Sequence, residues 1–370
     1  MVVFGTRPEA IKMAPVIKEL KKTEGIKLVV CVTAQHREML DQVLNLFQIK
    51  PDYDMDLMKA GQDLFGITSG VLNGMKKVLE REQPDLVLVH GDTTTTFAAS
   101  LAAFYMRIPV GHVEAGLRTH NKYSPFPEEL NRTLTGRLAD LHFSPTDTSR
   151  ENLIAESIAQ FKIWVTGNTV IDALLDTVQP NYSFGPELAG INFNRRILLV
   201  TTHRRENWGN PMRQIYLALI DLAEEFPDIQ VVFPVHKNPI VRKAAEEMLS
   251  DRERFNLIEP LDYEPFANLM NRSYLILTDS GGLQEEAPSL GKPVLVLRDT
   301  TERPEAVKAG TVKLIGTNRQ RIYEAASLLL RNQVEYEKMA QAINPYGDGK
   351  AARRIVKVVK DFLYVRMGAY

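Results

Sequence analysis

Leu277-Thr278-Asp279-Ser280-Gly281-Gly282-Leu283-Gln284-Glu285-Glu286, running on through Ala287-Pro288-Ser289-Leu290-Gly291-Lys292-Pro293 into Val294-Leu295-Val296-Leu297, is the stretch that decides the architecture. An apolar run from Tyr274 to Leu277 stops at a polar Gly-Gly turn, a short helix pattern opens there, and a second apolar strand follows. This is a strand-turn-helix-strand unit, the repeat of a parallel α/β sheet. Ser280, Gly281 and Gly282 offer backbone N–H groups and a hydroxyl at a helix N-terminus, where orphan donors and the macrodipole favour an anion such as a diphosphate. Glu286, one turn further on, is an acceptor-only carboxylate suited to both hydroxyls of a ribose. An ordinary strand-to-helix turn also opens on Gly-Gly, so the local pattern leaves both readings standing.

Working outward, 370 residues exceed what one core usually carries, and two domains are expected. Hydrophobic content of 44% and charged content of 25% are ordinary globular values. Lys+Arg 45 against Asp+Glu 46 leaves a net charge of −1, which argues against nucleic acid or an anionic membrane as the main partner. The one cysteine, Cys31, falls inside an apolar strand pattern and reads as a small core residue. No signal segment opens the chain and no apolar run has the length of a membrane span, so a reduced cytoplasmic setting is expected.

The same alternation runs through the whole chain. Met1 to Phe4 is a short apolar run ending at Gly5-Thr6-Arg7-Pro8-Glu9, after which Ile11, Ala14, Ile17 and Leu20 fall at helical spacing. Pro8 suits a first helical turn. Arg7 and Lys12 then stand near a helix N-terminus and read as phosphate ligands or as a solvated face. Strands are predicted at Ile26–Thr33, Leu86–His90, Val110–Val113, Leu141–Phe143 and Ile163–Val165, with helices between them. The first domain is placed at 1–166. Residues 179–194, with Pro180, Gly185, Pro186 and Gly190, read as the inter-domain linker and are counted with a second α/β domain, 167–351. That domain resumes at Ile197–Thr201 and Ile229–Phe233 and ends with Val312–Leu314. An amphipathic helix, about 352–370, closes the chain.

Ligands in open parallel sheets bind outside the carboxyl ends of the strands. Those ends deliver Asp92, Glu114 and, after a Gly-Leu-Arg-Thr loop, Glu128 in the first domain. Asp92 equally suits an N-cap. Glu114, directly after Val-Gly-His-Val on a strand covered on both faces, needs a partner or a job. In the second domain they deliver His203 and Arg204, and then His236, whose ring is either structural or a proton carrier. The seven histidines form no His-x-x-x-His pair, so a zinc site is not expected. Gly-x-Ser-x-Gly is absent, and Gly5-Thr6-Arg7-Pro8-Glu9 is not a nicotinamide fingerprint.

Six strings in order carry a resemblance: Gly5 to Lys12, His90-Gly91-Asp92-Thr93-Thr94-Thr95, His112 to Arg118, Pro125 to Arg132, Thr202-His203-Arg204-Arg205-Glu206-Asn207, and Asp279-Ser280-Gly281-Gly282. Together they resemble the non-hydrolysing UDP-N-acetylglucosamine 2-epimerases over essentially the whole chain. The resemblance implies two Rossmann-like doubly wound domains of the glycosyltransferase B type with the active site in the inter-domain cleft, and a last helix that returns to the first domain. It implies reversible conversion of UDP-GlcNAc to UDP-ManNAc by elimination of UDP to 2-acetamidoglucal and re-addition. It also implies a homodimer, no metal or other cofactor, and a supply of ManNAc units for cell-surface polysaccharide.

Matched position by position, Asp92, Glu114, Glu128 and His203 resemble the family's catalytic groups. Arg7, Lys12, Phe266, Ser280, Gly281, Gly282, Glu286 and Arg303 resemble its substrate ligands. Gln35, Arg204 and His236 resemble residues with which some members bind a second, activating substrate molecule. Gly61 and Gln62 stand where a basic contact to that molecule is expected, which leaves regulation open. A glycosyltransferase, a hydrolysing epimerase and a non-catalytic sugar-nucleotide sensor are the competing readings, separated by acceptor use, by release of free ManNAc and by absence of turnover.

Overall fold

The computed structural model describes residues 1–33, 37–57 and 61–367, leaving aside the side chains of 37, 38 and 367. Among the described residues, thirteen strands form two wholly parallel sheets. The first holds β1 (Val2–Phe4), β2 (Val30–Val32), β3 (Tyr53–Asp54), β4 (Val87–His90), β5 (Val110–Val113), β6 (Leu141–Ser144) and β7 (Ile163–Val165) in the order β3-β2-β1-β4-β5-β6-β7. The second holds β8 (Arg196–Thr201), β9 (Ile229–Pro234), β10 (Phe255–Ile258), β11 (Leu275–Thr278), β12 (Val294–Val296) and β13 (Val312–Leu314) in the order β10-β9-β8-β11-β12-β13. Continuous apolar runs make the central strands because helices cover both faces, and every residue of β1, β4, β5 and β11 is buried.

Each sheet has one point where the strand order reverses, between β1 and β4 in the first and between β8 and β11 in the second. A crevice opens there at the carboxyl ends of the strands, because the two flanking connections leave in opposite directions. The turns at these points are Gly5-Thr6 and Gly91-Asp92-Thr93 in one sheet, and Thr202 to Asn207 and Asp279-Ser280 in the other. Four of the six strings that carried the resemblance include these turns.

The chain divides into two compact units, Met1–Ala173 with Tyr346–Tyr370, and Leu174–Pro345. In the first, Val3, Cys31, Met75, Val87, Val89 and Ala102 share one core. Burial pushes the Cys31 thiol up to about 12, so it is an unreactive core group. The helix Ala351–Met367 packs on the helix Arg7–Lys22 and starts on Asp172, whose carboxylate accepts the Ala351 and Ala352 N–H groups at 3.2 and 2.9 Å. In the second unit the core is built around Tyr216, Leu219, Val231, Phe233, Leu277 and Leu295.

Three readings of the sequence need correction. The predicted strand Ile26–Thr33 is only Val30–Val32, because the register sets Val2 opposite Val30 and residues 26–28 lie past the end of that ladder. Two edge strands, β3 and β10, went unassigned. β3 has two residues, and all four residues of β10 are half-buried, so neither shows a continuous apolar run. The irregular stretch 179–194 lies inside the second unit, where the Phe184 and Phe193 rings stack at 4.4 Å and Arg272 lies over Phe193.

Candidate active site

In the first unit, Glu9 organises the switch point. Its Oε2 accepts the Gly5 N–H (3.0 Å), the Thr6 N–H (2.8 Å) and the Thr6 hydroxyl (2.8 Å), closing a capping box at the start of the helix Arg7–Lys22. Its Oε1 takes the Thr93 hydroxyl at 2.7 Å and lies 3.0 Å from that of Thr96. One buried carboxylate thus ties the turn after β1, which carries Arg7, to the turn after β4, which carries Asp92. Gly5 has no room for a side chain: a Cβ there would come within 2.2 Å of the Thr33 hydroxyl and 2.7 Å of the Thr95 hydroxyl.

Asp92, Glu114 and Glu128 meet here. Asp92 follows Gly91, whose φ of +68° turns the chain sharply, and the Arg132 guanidinium stands 2.7 Å from its carboxylate. Burial pushes the Asp92 carboxyl up to about 6 against the pull of Arg132, and the nearby charges of Glu114 and Glu128 push it the same way. Glu114 leaves β5 with φ +62°, a left-handed conformation that costs a non-glycine residue on the order of 1 kcal/mol. Its Oε2 is paired with the Lys12 ammonium and accepts the Asn168 amide N–H at 2.9 Å, so the partner that a buried carboxylate demands is in place. Lys12 therefore carries an acid of its own unit, a contact 102 residues away in sequence. Glu128 is half-buried and begins the helix Glu128–Leu138. The His90 ring is fully enclosed with its Nε2 3.8 Å from Glu114, and burial lowers it to about 4, so it is neutral at physiological pH.

In the second unit, Asp279 holds the corresponding switch point. It has no solvent exposure, and it accepts the N–H groups of His203 (2.9 and 3.1 Å) and Arg204 (2.9 Å), the Asn207 amide (3.1 Å) and His203 Nδ1 (2.9 Å). Burial alone pushes the Asp279 carboxyl up, but hydrogen bonds from His203 and Arg204 together hold it below the usual carboxylate range. The His203 ring stacks on that of the exposed His236 at 5.8 Å between centroids. Asn238 donates its N–H to His236 Nδ1 at 3.1 Å.

Of the expected anion ligands, Ser280 is the N-cap of the helix Gly281–Glu286, but its own N–H donates to the Thr278 hydroxyl at 2.9 Å. The reading that all three N–H groups of Ser280-Gly281-Gly282 face an anion is therefore corrected to Gly281 and Gly282. A helix of six residues also has a weak dipole, so an anion at its start would depend on nearby cations. Guanidinium nitrogens of Arg204 and Arg303 lie 3.8 and 3.9 Å from where a Gly281 Cβ would stand. Arg303 is paired with the buried Glu285. Arg298 bridges Glu206 and Glu302, and its hydrogen bonds draw the Glu302 carboxyl down to about 2. Glu302 in turn stands 3.7 Å from Arg204. Glu286 is half-buried near Gly282, and Phe266 is half-buried on the helix Tyr263–Arg272. Gln35 lies outside the described residues.

A sequence model described as UDP-N-acetylglucosamine 2-epimerase matches residues 18–360. The chain belongs to that family and is an enzyme of it. It is similar to the UDP-N-acetylglucosamine 2-epimerase of Bacillus subtilis, 60% identical over 96% of this chain and 93% of that protein. In structure it is similar to the UDP-GlcNAc 2-epimerase of Neisseria meningitidis bound to UDP-GlcNAc, with a TM-score of 0.85 at 55% identity over 97% and 99% of the two chains. A kitacinnamycin glycosyltransferase, 11% identical with a TM-score of 0.66 over 97% of each chain, shares the fold alone. The two Rossmann-like domains of this epimerase are of the glycosyltransferase B type.

Residue by residue, the first unit brings Asp92 and Glu114 together, with Glu128 close enough to act on Asp92, and sets Arg7 and Lys12 on the adjoining helix. The second stacks His203 on His236 beside Asp279 and brings the guanidiniums of Arg204 and Arg303 to the Gly281 turn. Four residues carried no role in the sequence reading: Glu9, Arg132, Glu285 and Asp279. Each belongs to a quoted string or adjoins one, and each is buried or nearly so with partners remote in sequence, which is the information a linear pattern lacks.

Among the described residues there is no group of three His, Cys, Asp or Glu that could hold a metal ion, and no helix is long and apolar enough to cross a membrane.

Proposed function

We propose that this epimerase interconverts UDP-GlcNAc and UDP-ManNAc by eliminating UDP to give 2-acetamidoglucal and adding it back. The observation that carries the proposal is the group of three acids in distinct surroundings at one switch point: Asp92 poised near 6, Glu114 anionic beside Lys12, and Glu128 at the start of a helix. Removing the carbon-2 proton demands a carboxylate able to take and return it near neutral pH, and Asp92 suits that task. Breaking the anomeric bond builds positive charge in the ring, which a fixed anion such as Glu114 stabilises. Arg7, Ser280, Gly281, Gly282, Glu286, Phe266 and Arg303 bind the nucleotide, and His203 meets the departing phosphate.

The enzyme works as a cytoplasmic homodimer and supplies ManNAc units for cell-surface polysaccharide. Gln35, Arg204 and His236 are retained as candidates for an activating second substrate. Incubation with UDP-GlcNAc in deuterated water, followed by proton NMR, tests the reading. Both epimers should reach one equilibrium mixture with deuterium at carbon 2, with EDTA present and no nicotinamide added. Unlabelled substrate after long incubation would sink it, and free ManNAc would make the enzyme a hydrolase.

A further inference from the structure

We propose that Asp279 is a positioning residue that fixes the tautomer of His203, so that only Nε2 of that ring faces the departing UDP. This rests on the role of His203 given above. The geometry leaves the carboxylate little choice. Oδ2 meets three donors, the N–H groups of His203 and Arg204 and the Asn207 amide, at 2.9 to 3.1 Å. Backbone N–H groups cannot reverse, so this oxygen must remain an acceptor. Oδ1 meets the His203 N–H at 3.1 Å and His203 Nδ1 at 2.9 Å. A fully buried carboxylate can only accept, so Nδ1 carries a proton in every state of the ring. The remaining nitrogen, Nε2, belongs to a side chain that is 37% exposed.

The other groups facing the ring do not compete for Nδ1. His236 stacks against its face, and its own Nδ1 is taken by the Asn238 N–H. Arg204 reaches Asp279 through its backbone, while its guanidinium lies toward Glu302. When the anomeric C–O bond breaks, its electron pair passes to the β-phosphate oxygen of UDP. The carbon-2 proton goes to a first-unit acid as its bonding pair forms the C1–C2 double bond. A ring protonated at both nitrogens, its charge matched by Asp279, gives the departing oxygen a charge-assisted donor at Nε2.

Asp279→Asn separates this from a structural role, because the amide can enter in only one sense. Its oxygen must take the place of Oδ2 among the three donors, which puts the NH₂ group against His203 Nδ1. The ring must then give up its Nδ1 proton, leaving a neutral Nε2–H imidazole. The test is ¹⁵N NMR of labelled histidine, with the His203 signal assigned by its loss in His203→Gln, together with turnover and UDP binding.

In the parent, the neutral ring should be the Nδ1–H tautomer. In Asp279→Asn it should be the Nε2–H tautomer, with kcat down by roughly 10²-fold and UDP affinity within a few-fold. A parent ring in the Nε2–H form would overturn the proposal. So would a variant that keeps the Nδ1–H form, whether or not it loses activity. Should the variant fail to fold, the parent spectrum decides alone. A parent that shows the Nδ1–H tautomer but does not turn over UDP-GlcNAc would refute the proposed function and leave the Asp279 pairing intact.

Discussion

Replacing Glu9 by alanine removes a carboxylate that is 2% exposed and holds two turns together. Five donors surround it, but the Thr96 hydroxyl also lies 2.5 Å from the His90 carbonyl and its single proton can serve only one acceptor. Four bonds therefore count in full. The three hydroxyls can turn to other acceptors, whereas the Gly5 and Thr6 N–H groups cannot. Leaving two such donors unmet costs about 1–3 kcal/mol each. Losing an anion from the first turn of a 16-residue helix adds about 0.3–1 kcal/mol. The expected loss is about 3–5 kcal/mol, a large share of a typical domain stability of about 5–15 kcal/mol.

The chain's two tryptophans fall one in each unit, Trp164 and Trp208, so urea unfolding can be followed unit by unit in Trp208→Phe and Trp164→Phe backgrounds. Glu9→Ala should shift only the Trp164 transition, at unchanged slope. Glu9→Gln should cost about 1 kcal/mol, because its amide oxygen can replace Oε2 while its NH₂ donates to the threonine hydroxyls, which can turn to accept. A loss below about 1 kcal/mol for Glu9→Ala, or an equal shift in both transitions, would refute the accounting.

Asp92→Asn, Glu114→Gln and Glu128→Gln should each lower turnover by about two orders of magnitude while UDP still binds, and at least one should release 2-acetamidoglucal with UDP. Full activity in all three with lowered melting temperatures would show that the acids only hold the fold. Arg7→Ala should weaken UDP binding by about one to two orders of magnitude, since a charge-assisted bond is worth about 1.5–3 kcal/mol; unchanged affinity by calorimetry would return Arg7 to a solvated helix face.

The Asp92 carboxyl titrates near 6 in the folded protein against 3.8 for an ordinary aspartate, so folding favours its protonated form. Its contribution to stability falls as pH rises from about 4 to 6 and is level above that. The melting temperature of Asp92→Asn should therefore gain on the parent across that window; a constant difference would place the Asp92 carboxyl at its ordinary value.

The strand ends that carry the site were legible because β4 and β5 are short valine-rich runs stopping at Gly91-Asp92 and Glu114. Two parallel α/β domains followed from that rhythm, and the six strings identified the family. Contacts were not legible. Glu9 stands 84 and 87 residues from Thr93 and Thr96, and Asp279 stands 72 to 76 from Asn207, Arg204 and His203. Helical spacing around Lys12 showed no acid except Glu9, yet its partner is Glu114 from another strand. The Ser280 N–H looked free because nothing in the linear pattern shows the Thr278 side chain turning forward to cap it.

Asp92 and Glu114 show how one fold makes two carboxylates unlike. They follow neighbouring strands, and Glu114 Oε1 lies 3.7 Å from where a Cβ of Gly91 would stand. Glu114 is nearly enclosed, whereas Asp92 is half-buried. Glu114 has Lys12 and Asn168 on the same oxygen, and its left-handed backbone turns the side chain toward them. That strain is tolerable because the pair it makes removes a far larger cost, an uncompensated charge in the interior. Asp92 faces Arg132 but also the anion of Glu114, and the balance leaves it near 6. Two acids whose surroundings push them apart can divide a reaction between them, one holding charge and one moving a proton. Lys12 therefore acts on Asp92 by two routes. Its own charge lowers the Asp92 carboxyl, and the anion it holds in place raises it. Both are secondary to burial, which does most to hold Asp92 in the range where it can exchange a proton.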